Sequence, residues 1–391
     1  MRHQKPKQKR RIIMIVAAED KVPTIAKKLL EFLDVELTER CNQQCRHCYI
    51  RLLSGNRAAI SREMDTAFVC RILKEAATLG CSKIRFTGGE PLARHDFPEI
   101  YDFAHDLGLG VSVATNATLV TDDIADLWVR KKPTGLSVSV YGWDQLSFEW
   151  VTQTRDSFKR FIIGVKRIQK RGLQFLLRYP PLRLLVQNSD KIRILAQELG
   201  ASYPVPYAWE LTLHARHNDQ VSKQLKALRL DPEEAARERL KEPGVVENDL
   251  RVLQNGTTAK QDNRLFWCPA AYKRPTVNAY GQLQVCLQVR HSNTLYDLRI
   301  GSLHEGLTDF FPHFRKMRIV DTAYLDRCGR CLLRSICPQC PAISWMEHGN
   351  LTTPADYYCE IAHAEARILG LLHDGEKGWE IESLHSSQAR Y

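Results

Sequence analysis

The first regular pattern of apolar and polar positions is the alternation Leu-Asp-Val-Glu-Leu-Thr at residues 33–38, which predicts a strand. Apolar runs of strand and helix period then alternate along the chain. The predicted strands lie at 83–87, 111–115, 135–141, 173–179 and 207–212, and the predicted helices at 65–79, 97–107, 122–130, 158–171 and 188–198. Strands and helices that alternate at this spacing form parallel βαβ units, so we expect an α/β fold with about six parallel strands.

The rest of the chain differs in character and suggests further units. With 391 residues, the chain exceeds the length at which single cores tend to split, so we expect two domains. The predicted segments are a basic tail and lead-in helix at 1–32, the α/β unit at 33–213, a helical linker at 214–266, a second domain at 267–365 and a tail at 366–391. The lead-in helix is placed at 22–31, and the charged first eleven residues are expected to be disordered.

Charge and cysteine usage limit the function classes. The formal net charge of +11 draws partly on the basic tail, but no helix-turn-helix or RNA-binding pattern appears, so nucleic acid is not an expected partner. No signal peptide and no membrane-spanning stretch is visible, which favours a soluble, cytoplasmic protein. In that reducing compartment the twelve cysteines suggest metal binding rather than disulfides.

Three cysteines follow the first predicted strand directly. Cys41, Cys45 and Cys48 have the spacing C-x3-C-x2-C, which lets one loop ligate three of the four irons of a single cubane. A structural zinc site or a ferredoxin-type loop requires four ligands. Three close cysteines therefore suggest an iron that is kept open for a substrate or cofactor.

A second motif makes the pattern specific. Gly88, Gly89, Glu90 and Pro91 close the next predicted strand, where glycines allow a close backbone approach and Glu90 can accept hydrogen bonds from an ammonium group. Together the two motifs resemble those of the radical S-adenosylmethionine (radical SAM) enzymes. The resemblance implies that the open iron chelates S-adenosylmethionine (SAM), that the reduced cluster cleaves its S–C5′ bond, and that the Gly-Gly-Glu-Pro segment binds the methionine amino group. His47 stands where that family usually has an aromatic residue beside the adenine.

The resemblance also implies a partial (β/α)6 barrel, similar to an open TIM barrel. In such a barrel, function gathers at the carboxyl ends of the strands. The candidates there for cofactor or substrate contacts are Thr115, Asn116, Ser139, Tyr141, Arg178 and Asn188. Because Tyr141 replaces the aspartate of the Ser-Leu-Asp-Gly segment common in relatives, the ribose contact of that aspartate is in doubt.

A second group of cysteines lies beyond residue 266. Its members are Cys268, Cys286, Cys328, Cys331, Cys337, Cys340 and Cys359, with a predicted hairpin at 277–285 that turns at Gly281. The spacing resembles the SPASM extension, which holds two auxiliary [4Fe–4S] clusters, although two residues stand between Cys337 and Cys340 where relatives usually have three. By the ligation of that family, Cys328, Cys331, Cys337 and Cys359 hold the outer cluster, and Cys268, Cys286 and Cys340 hold an inner cluster with an open iron. The alternative is a zinc ribbon of Cys328, Cys331, Cys337 and Cys340.

The resemblance implies three [4Fe–4S] clusters, SAM as a cofactor and hydrogen abstraction from a ribosomally made peptide or a protein substrate. A sulfatase-maturing enzyme is the first alternative, disfavoured because Leu287 rather than an acid follows Cys286. A non-catalytic iron–sulfur or zinc protein that transfers electrons or scaffolds a partner is the second. A reductant such as flavodoxin or ferredoxin and a separate leader-binding protein are expected partners. Cys70 and Cys81 are read as buried structural residues.

Overall fold

The structure, a computed structural model, describes residues 29–50, 52–206, 211, 213, 218–256, 263–266 and 268–386. The predicted basic tail, most of the predicted lead-in helix and most of the predicted strand at 207–212 lie outside these residues. The described strands are β1 (Phe32–Thr38), β2 (Arg40–Cys41), β3 (Leu52–Leu53), β4 (Lys83–Gly88), β5 (Gly110–Thr115), β6 (Gly135–Ser139), β7 (Leu176–Tyr179), β8 (Ser202–Pro206), β9 (Thr276–Val277), β10 (Gln282–Gln284) and β11 (Leu295–Asp297).

Helices connect these strands and continue beyond them. They are α1 (Arg57–Ile60), α2 (Thr66–Thr78), α3 (Phe97–Asp106), α4 (Asp122–Arg130), α5 (Gln145–Thr152), α6 (Ser157–Lys170), α7 (Arg183–Val186), α8 (Ser189–Glu198), α9 (Asp219–Ala227), α10 (Pro232–Leu240), α11 (Val245–Gly256), α12 (Leu303–Glu305), α13 (Phe311–Lys316), α14 (Thr322–Tyr324), α15 (Pro341–His348) and α16 (Asp356–Ile368). No helix of the described residues is long and apolar enough to cross a bilayer.

The central sheet has the order β11-β10-β9-β1-β4-β5-β6-β7-β8. The six strands β1 and β4 to β8 are parallel neighbours, which confirms the predicted α/β fold. The sixth strand lies at Ser202–Pro206, earlier than the predicted range 207–212. Two prolines in this segment hide the strand from a pattern search, and the edge of the sheet is where prolines are tolerated, because no partner needs their missing N–H.

Each parallel strand has one apolar face and one polar face. On β1 the side chains of Leu33, Val35 and Leu37 are fully buried in the main hydrophobic core. The alternate positions, among them Glu36, carry charged residues. The neighbouring strand β4 carries the charged Arg85 on the same face. A parallel strand that is covered by helices on both sides would be apolar on both faces. The polar face therefore fits the inner side of the predicted partial barrel.

Helix ends follow local sequence signals closely. Asp65 caps α2 by accepting a hydrogen bond from the Phe68 N–H, and α2 ends before Gly80, which has φ of +85°. Thr121 caps α4 in the same way. Helix α5 is absent from the sequence predictions, yet it has a capping box of Asp144 and Ser147.

The C-terminal hairpin extends the central sheet. Strands β9 and β10 are antiparallel, with Gly281 at the turn in the left-handed region (φ +76°), as predicted. The sequence does not predict that β9 also pairs in parallel with β1. This pairing places the second group of cysteines beside the strand that leads to Cys41.

Candidate active site

The first three cysteines lie on a loop that leaves the carboxyl end of β1. Cys45 is buried, whereas Cys41 and Cys48 are half-buried. The loop is fixed to the end of α5, because the N–H groups of Gln44 and Arg46 donate to the carbonyls of Thr152 and Val151. Helix α5 therefore holds the cysteine loop against the barrel rim.

The thiols sit in an environment that suits a metal cluster. Burial raises the pKa of Cys41 to about 12 and also raises the pKa of Cys45, and the neighbouring cysteine charges raise both further. Thiolates are thus unfavourable here unless positive charge is supplied. Iron supplies that charge directly, since metal ligation deprotonates a thiol even where burial opposes it. Three convergent thiols on one loop fit the predicted iron–sulfur cluster.

Gly88 and Gly89 hold the start of this loop by close packing. A Cβ on Gly88 would lie 2.0 Å from the Thr38 carbonyl oxygen, and a Cβ on Gly89 would lie 2.3 Å from that of Arg40. The N–H of Gly89 donates to the Thr38 carbonyl (2.7 Å), and the N–H of Glu90 donates to the Arg40 carbonyl (2.9 Å). The glycine pair therefore contacts the chain that carries Cys41, a contact the sequence analysis did not foresee.

Replacing Gly89 with alanine should displace the cysteine loop. The new Cβ has only backbone atoms of Glu39 and Arg40 to push against, so we expect the Gly89→Ala protein to lose most of the roughly four irons of the first cluster. Iron analysis after reconstitution measures this. Gly55→Ala is the matched control, because a Cβ at Gly55 meets nothing within 4 Å. Full iron content in the Gly89→Ala protein would contradict the packing argument.

Glu90 is fully buried, and its carboxylate is held by three donors of the chain. Its oxygens accept from the Thr115 hydroxyl (2.7 Å), the Asn116 N–H (2.7 Å) and the Leu92 N–H (3.1 Å). Burial nevertheless raises the pKa of Glu90 to about 7, because these bonds offset only part of the desolvation. A carboxylate has about four lone-pair positions, so roughly one remains for a ligand donor.

Asn116 joins Glu90 to the cysteine loop. Its Nδ2 lies 3.7 Å from the Cys41 sulfur and donates to Asn42 Oδ1 (3.0 Å), while its Oδ1 accepts from Thr118. The turn after Asn116 is tight, since Ala117 has φ of +58°. A Cβ on Gly164 of α6 would lie 1.9 Å from the Ala117 carbonyl oxygen, so this glycine is also part of the site. Nothing in the sequence pattern marks Gly164, because helical glycines usually have no such role.

The remaining predicted cofactor contacts lie at the same rim. Ser139 and Arg178 are in register on β6 and β7 and are both half-buried. The ring of His47 lies beside that of Tyr141, with a centroid distance of 5.3 Å. By contrast, Asn188 donates to the Leu184 carbonyl between α7 and α8, which is a local structural role.

The second group of cysteines divides into two sets. One cavity is lined by Cys328, Cys331, Cys337 and Cys359, and we call these four the outer set. Cys286 is influenced electrostatically by Cys340 and Cys268 instead, and these three form the inner set. These sets contain the same cysteines as the two predicted ligand sets, and ligation itself stays a prediction.

The outer set has charged and aromatic neighbours that the sequence analysis missed. Arg327 and Arg334 lower the pKa of Cys328, although burial still raises that pKa overall, to about 12. His363 and Trp379 line the same cavity. Cys70 on α2 and Cys81 before β4 belong to neither set, and the Cys81 thiol donates to the Lys83 carbonyl at 3.2 Å.

A buried ionic network links the two cysteine regions. Arg290 donates to Glu36 (2.6 Å) and Glu39 (2.7 Å), and the Tyr280 hydroxyl donates to Glu39 (2.6 Å). Both carboxylates are buried at the end of β1, immediately before the cysteine loop. Burial raises the pKa of Glu36 to about 7 in spite of Arg290. The network fixes the loop after Cys286 to the strand that positions Cys41.

This arrangement matches a known family. Residues 35–183 match the family model described as "Radical SAM superfamily". The matched region extends from β1 to the start of α7 and contains Cys41, Cys45, Cys48 and Glu90.

Relatives and solved structures agree with this assignment. The chain is 31% identical over 166 residues to the AdoMet-dependent heme synthase of Methanosarcina barkeri, a match that covers 42% of this chain and 47% of the relative. It is 27% identical over 335 residues to a PqqA peptide cyclase of Granulibacter bethesdensis, covering 82% and 85%. The chain thus spans about half the length of some curated relatives that it matches and most of another.

The fold is similar to two solved structures that extend beyond the radical SAM domain. Streptococcus suis SuiB bound to precursor peptide SuiA aligns with a TM-score of 0.60 at 16% identity, over 85% of this chain and 76% of SuiB. Native anSMEcpe with bound AdoMet and Cp18Cys peptide aligns with a TM-score of 0.61 at 14% identity, over 86% and 96%. At these identities the likeness concerns the fold.

Proposed function

We propose that the protein is a radical SAM enzyme that abstracts a hydrogen atom from a peptide or protein substrate during its maturation. The observation that carries the proposal is the cysteine loop, held at the barrel rim by Gly88, Gly89 and α5. The extended similarity to a PqqA peptide cyclase favours a peptide as the substrate class.

The residues at the barrel rim would have separate roles. Cys41, Cys45 and Cys48 would hold an iron–sulfur cluster, which would supply the electron for the reductive cleavage of SAM. Glu90 would use its remaining acceptor position for the SAM amino group, while Asn116, Ser139 and Arg178, at the carboxyl ends of β5, β6 and β7, would orient the rest of the molecule. His47 and Tyr141 provide a ring surface for the adenine. The polar concave face of the sheet is where the peptide would approach.

The affinity for SAM should depend on the ionisation of Glu90. Because its pKa is raised to about 7, the carboxylate is mostly ionised at pH 8 and mostly protonated at pH 6. If the ionised form binds the amino group, the affinity falls about tenfold over that interval. Titration of the reconstituted protein with SAM at several pH values measures this. The Glu90→Gln protein should bind weakly throughout and lack this slope; an equal slope in both proteins would exclude Glu90 as the cause.

The two cysteine sets beyond residue 266 are proposed to hold auxiliary [4Fe–4S] clusters, in a domain of the SPASM type. Four cysteines supply the outer cluster, and three supply the inner one, which leaves an iron open for a substrate thiolate or another ligand. Either cluster could accept the electron that remains after a bond forms on the substrate.

The iron content tests the cluster count. The anaerobically reconstituted protein should hold about twelve irons, the sum of three cubanes on ten ligating cysteines. Zinc analysis on the same sample should show no zinc that is lost when Cys328 and Cys331 are replaced with alanine. About four irons together with about one such cysteine-dependent zinc per chain would refute the auxiliary clusters and support the zinc ribbon.

Two alternatives are separated by product analysis. A protein that only transfers electrons or scaffolds a partner would show cluster absorbance but would not form 5′-deoxyadenosine from SAM under reducing conditions. The enzyme should form it. A sulfatase-maturing activity is disfavoured because Leu287 follows Cys286, where that branch has an acid that serves as base.

Two further partners are proposed. A flavodoxin or ferredoxin would reduce the first cluster, and a small separate protein would bind the leader of the precursor peptide. A pull-down with the short peptides and small proteins encoded beside this one tests the second point. If the isolated enzyme binds and modifies a full-length precursor with nothing added, the leader-binding partner is not needed.

A further inference from the structure

A cluster of two histidines and a glutamate lies apart from every cysteine. His373, Glu376 and His385 each place a potential ligand atom within 4.8 Å of the others. His385 Nε2 lies 2.9 Å from Glu376 Oε2, and the two histidine rings lie side by side with a centroid distance of 4.1 Å. Two imidazoles and one carboxylate form a ligand set that zinc and similar divalent cations prefer.

Backbone hydrogen bonds hold the chain around this cluster in place. A turn closes residues 373–376, since the Glu376 N–H donates to the His373 carbonyl (3.2 Å), and Gly375 adopts the positive φ of +84° in this turn. The His385 N–H donates to the Leu371 carbonyl (3.1 Å), which returns the chain to the starting point of the turn. Leu371, Leu372 and Leu384 pack into a hydrophobic cluster below. Local backbone bonds and apolar packing therefore bring the three side chains together.

The segment between the ligands covers the outer set of cysteines. A Cβ on Gly378 would lie 2.9 Å from the Cys331 sulfur, so this glycine sits directly against the set. Gly378 is fixed from two sides, because its carbonyl accepts from the Leu332 N–H (2.8 Å) and its N–H donates to His363 Nε2 (3.0 Å). Trp379 lines the cavity, with the Arg327 guanidinium 5.0 Å from its ring centroid. The region that the sequence analysis treated as a tail is the cover of this cavity.

We propose that His373, Glu376 and His385 bind a zinc-type divalent cation that clasps the two ends of this covering segment. A cation there would close a loop from residue 373 to residue 385, with Gly378 and Trp379 at its middle. Three protein ligands leave the fourth tetrahedral position to water. The Glu376 and His385 ligand atoms need to separate by only about 0.4 Å, from hydrogen-bond distance to the spacing around zinc. Cation binding at these three residues does not depend on the proposed function. Protection of an outer cluster by the covering segment rests on the proposed function.

Zinc binding to the holoprotein tests the site. Reconstituted protein is dialysed against buffered Zn²⁺, and iron and zinc are measured on the same sample. The wild-type chain should hold about one zinc more than the His373→Ala/His385→Ala protein, at equal iron content. His304→Ala/His313→Ala is the matched control, because these two histidines are exposed and lie outside the cluster. Equal zinc in the wild type and the His373→Ala/His385→Ala protein overturns the site, whatever the catalytic activity proves to be.

Trypsin cleavage after Lys377 tests the clasp. Lys377 lies between the ligands, so cleavage requires the segment to open. Because zinc bound only to the closed form lowers the open population by the factor 1 + [Zn²⁺]/Kd, cleavage should slow about tenfold at a zinc concentration ten times Kd. The His373→Ala/His385→Ala protein should show no zinc effect. An unchanged rate in zinc-loaded wild-type protein refutes the clasp.

Discussion

Replacing Cys41, Cys45 and Cys48 together with alanine should abolish the formation of 5′-deoxyadenosine from SAM. These three thiols lie on one loop of the region that matches the radical SAM family model, and the loop is anchored to α5 and to the glycine pair. Without them no cluster can reach SAM at the barrel rim. Product analysis of the reduced protein by liquid chromatography measures this.

The loss should be specific to the first cluster. The triple variant should retain about eight irons, because the inner and outer sets are untouched. Cys70→Ala is the matched control, since Cys70 lies on α2 outside both sets and its replacement should leave iron content and product formation unchanged. Continued 5′-deoxyadenosine formation by the triple variant would refute the assignment of the cofactor site.

Replacing Arg290 with methionine should strongly destabilise the protein. Arg290 is the cation that faces the buried Glu36 and Glu39, and its side chain is only 10% exposed. Removing one partner of a buried ion pair costs about 3–5 kcal/mol, because the remaining charges are left without compensation. Denaturant unfolding followed by circular dichroism should show a clear shift of the midpoint. Arg62→Met is the control, because Arg62 is exposed and stacks on the Tyr280 ring (4.3 Å).

The pH dependence of the stability identifies the cause of the destabilisation in the Arg290→Met protein. The pKa of Glu36 is raised to about 7 from an ordinary value near 4.5, so the folded state binds a proton that the unfolded state has released. Between these two values the stability therefore falls as pH rises. Loss of Arg290 raises the pKa of Glu36 further, so the pH range over which stability falls extends upward. The Arg290→Met protein should therefore be least stable in mildly alkaline buffer and regain stability on acidification. Adding Glu36→Gln and Glu39→Gln should restore part of the stability. A loss of stability that does not change with pH would instead indicate that the substitution acts through lost packing.

The sequence predicted the local elements well, because their signals are local. Helix α4 has the predicted bounds, since Thr121 caps one end and the apolar period stops at the other. The six parallel strands follow from their alternation with helices. The sequence did not predict β8 at Ser202–Pro206 because prolines conceal an edge strand, while most of the predicted range 207–212 lies outside the described residues. Helix α5 was missed because its capping box lies in a short segment.

Contacts between distant segments could not be predicted. The pairing of β9 with β1 joins residues about 240 positions apart, and neither strand carries a signal for the other. The same holds for Arg290 and Glu36, although a glutamate within an alternating strand does indicate a polar face. The grouping of the cysteines could be predicted because their spacing is itself the signal, and their role as cluster ligands stays a prediction. The sequence assigns Gly88 and Gly89 to the cofactor, which stays a prediction, and it gives no signal for their contacts with the backbone that leads to Cys41.

The most direct test of the central claim is the transfer of hydrogen from a peptide to SAM. The reduced holoprotein is incubated with SAM and with uniformly deuterated candidate precursor peptides, and the mass of the 5′-deoxyadenosine formed is measured. Radical abstraction from a peptide predicts a product that carries one deuterium and a peptide of correspondingly lower mass. Unlabelled 5′-deoxyadenosine with every peptide, together with deuterium transfer from a non-peptide metabolite, would contradict the account.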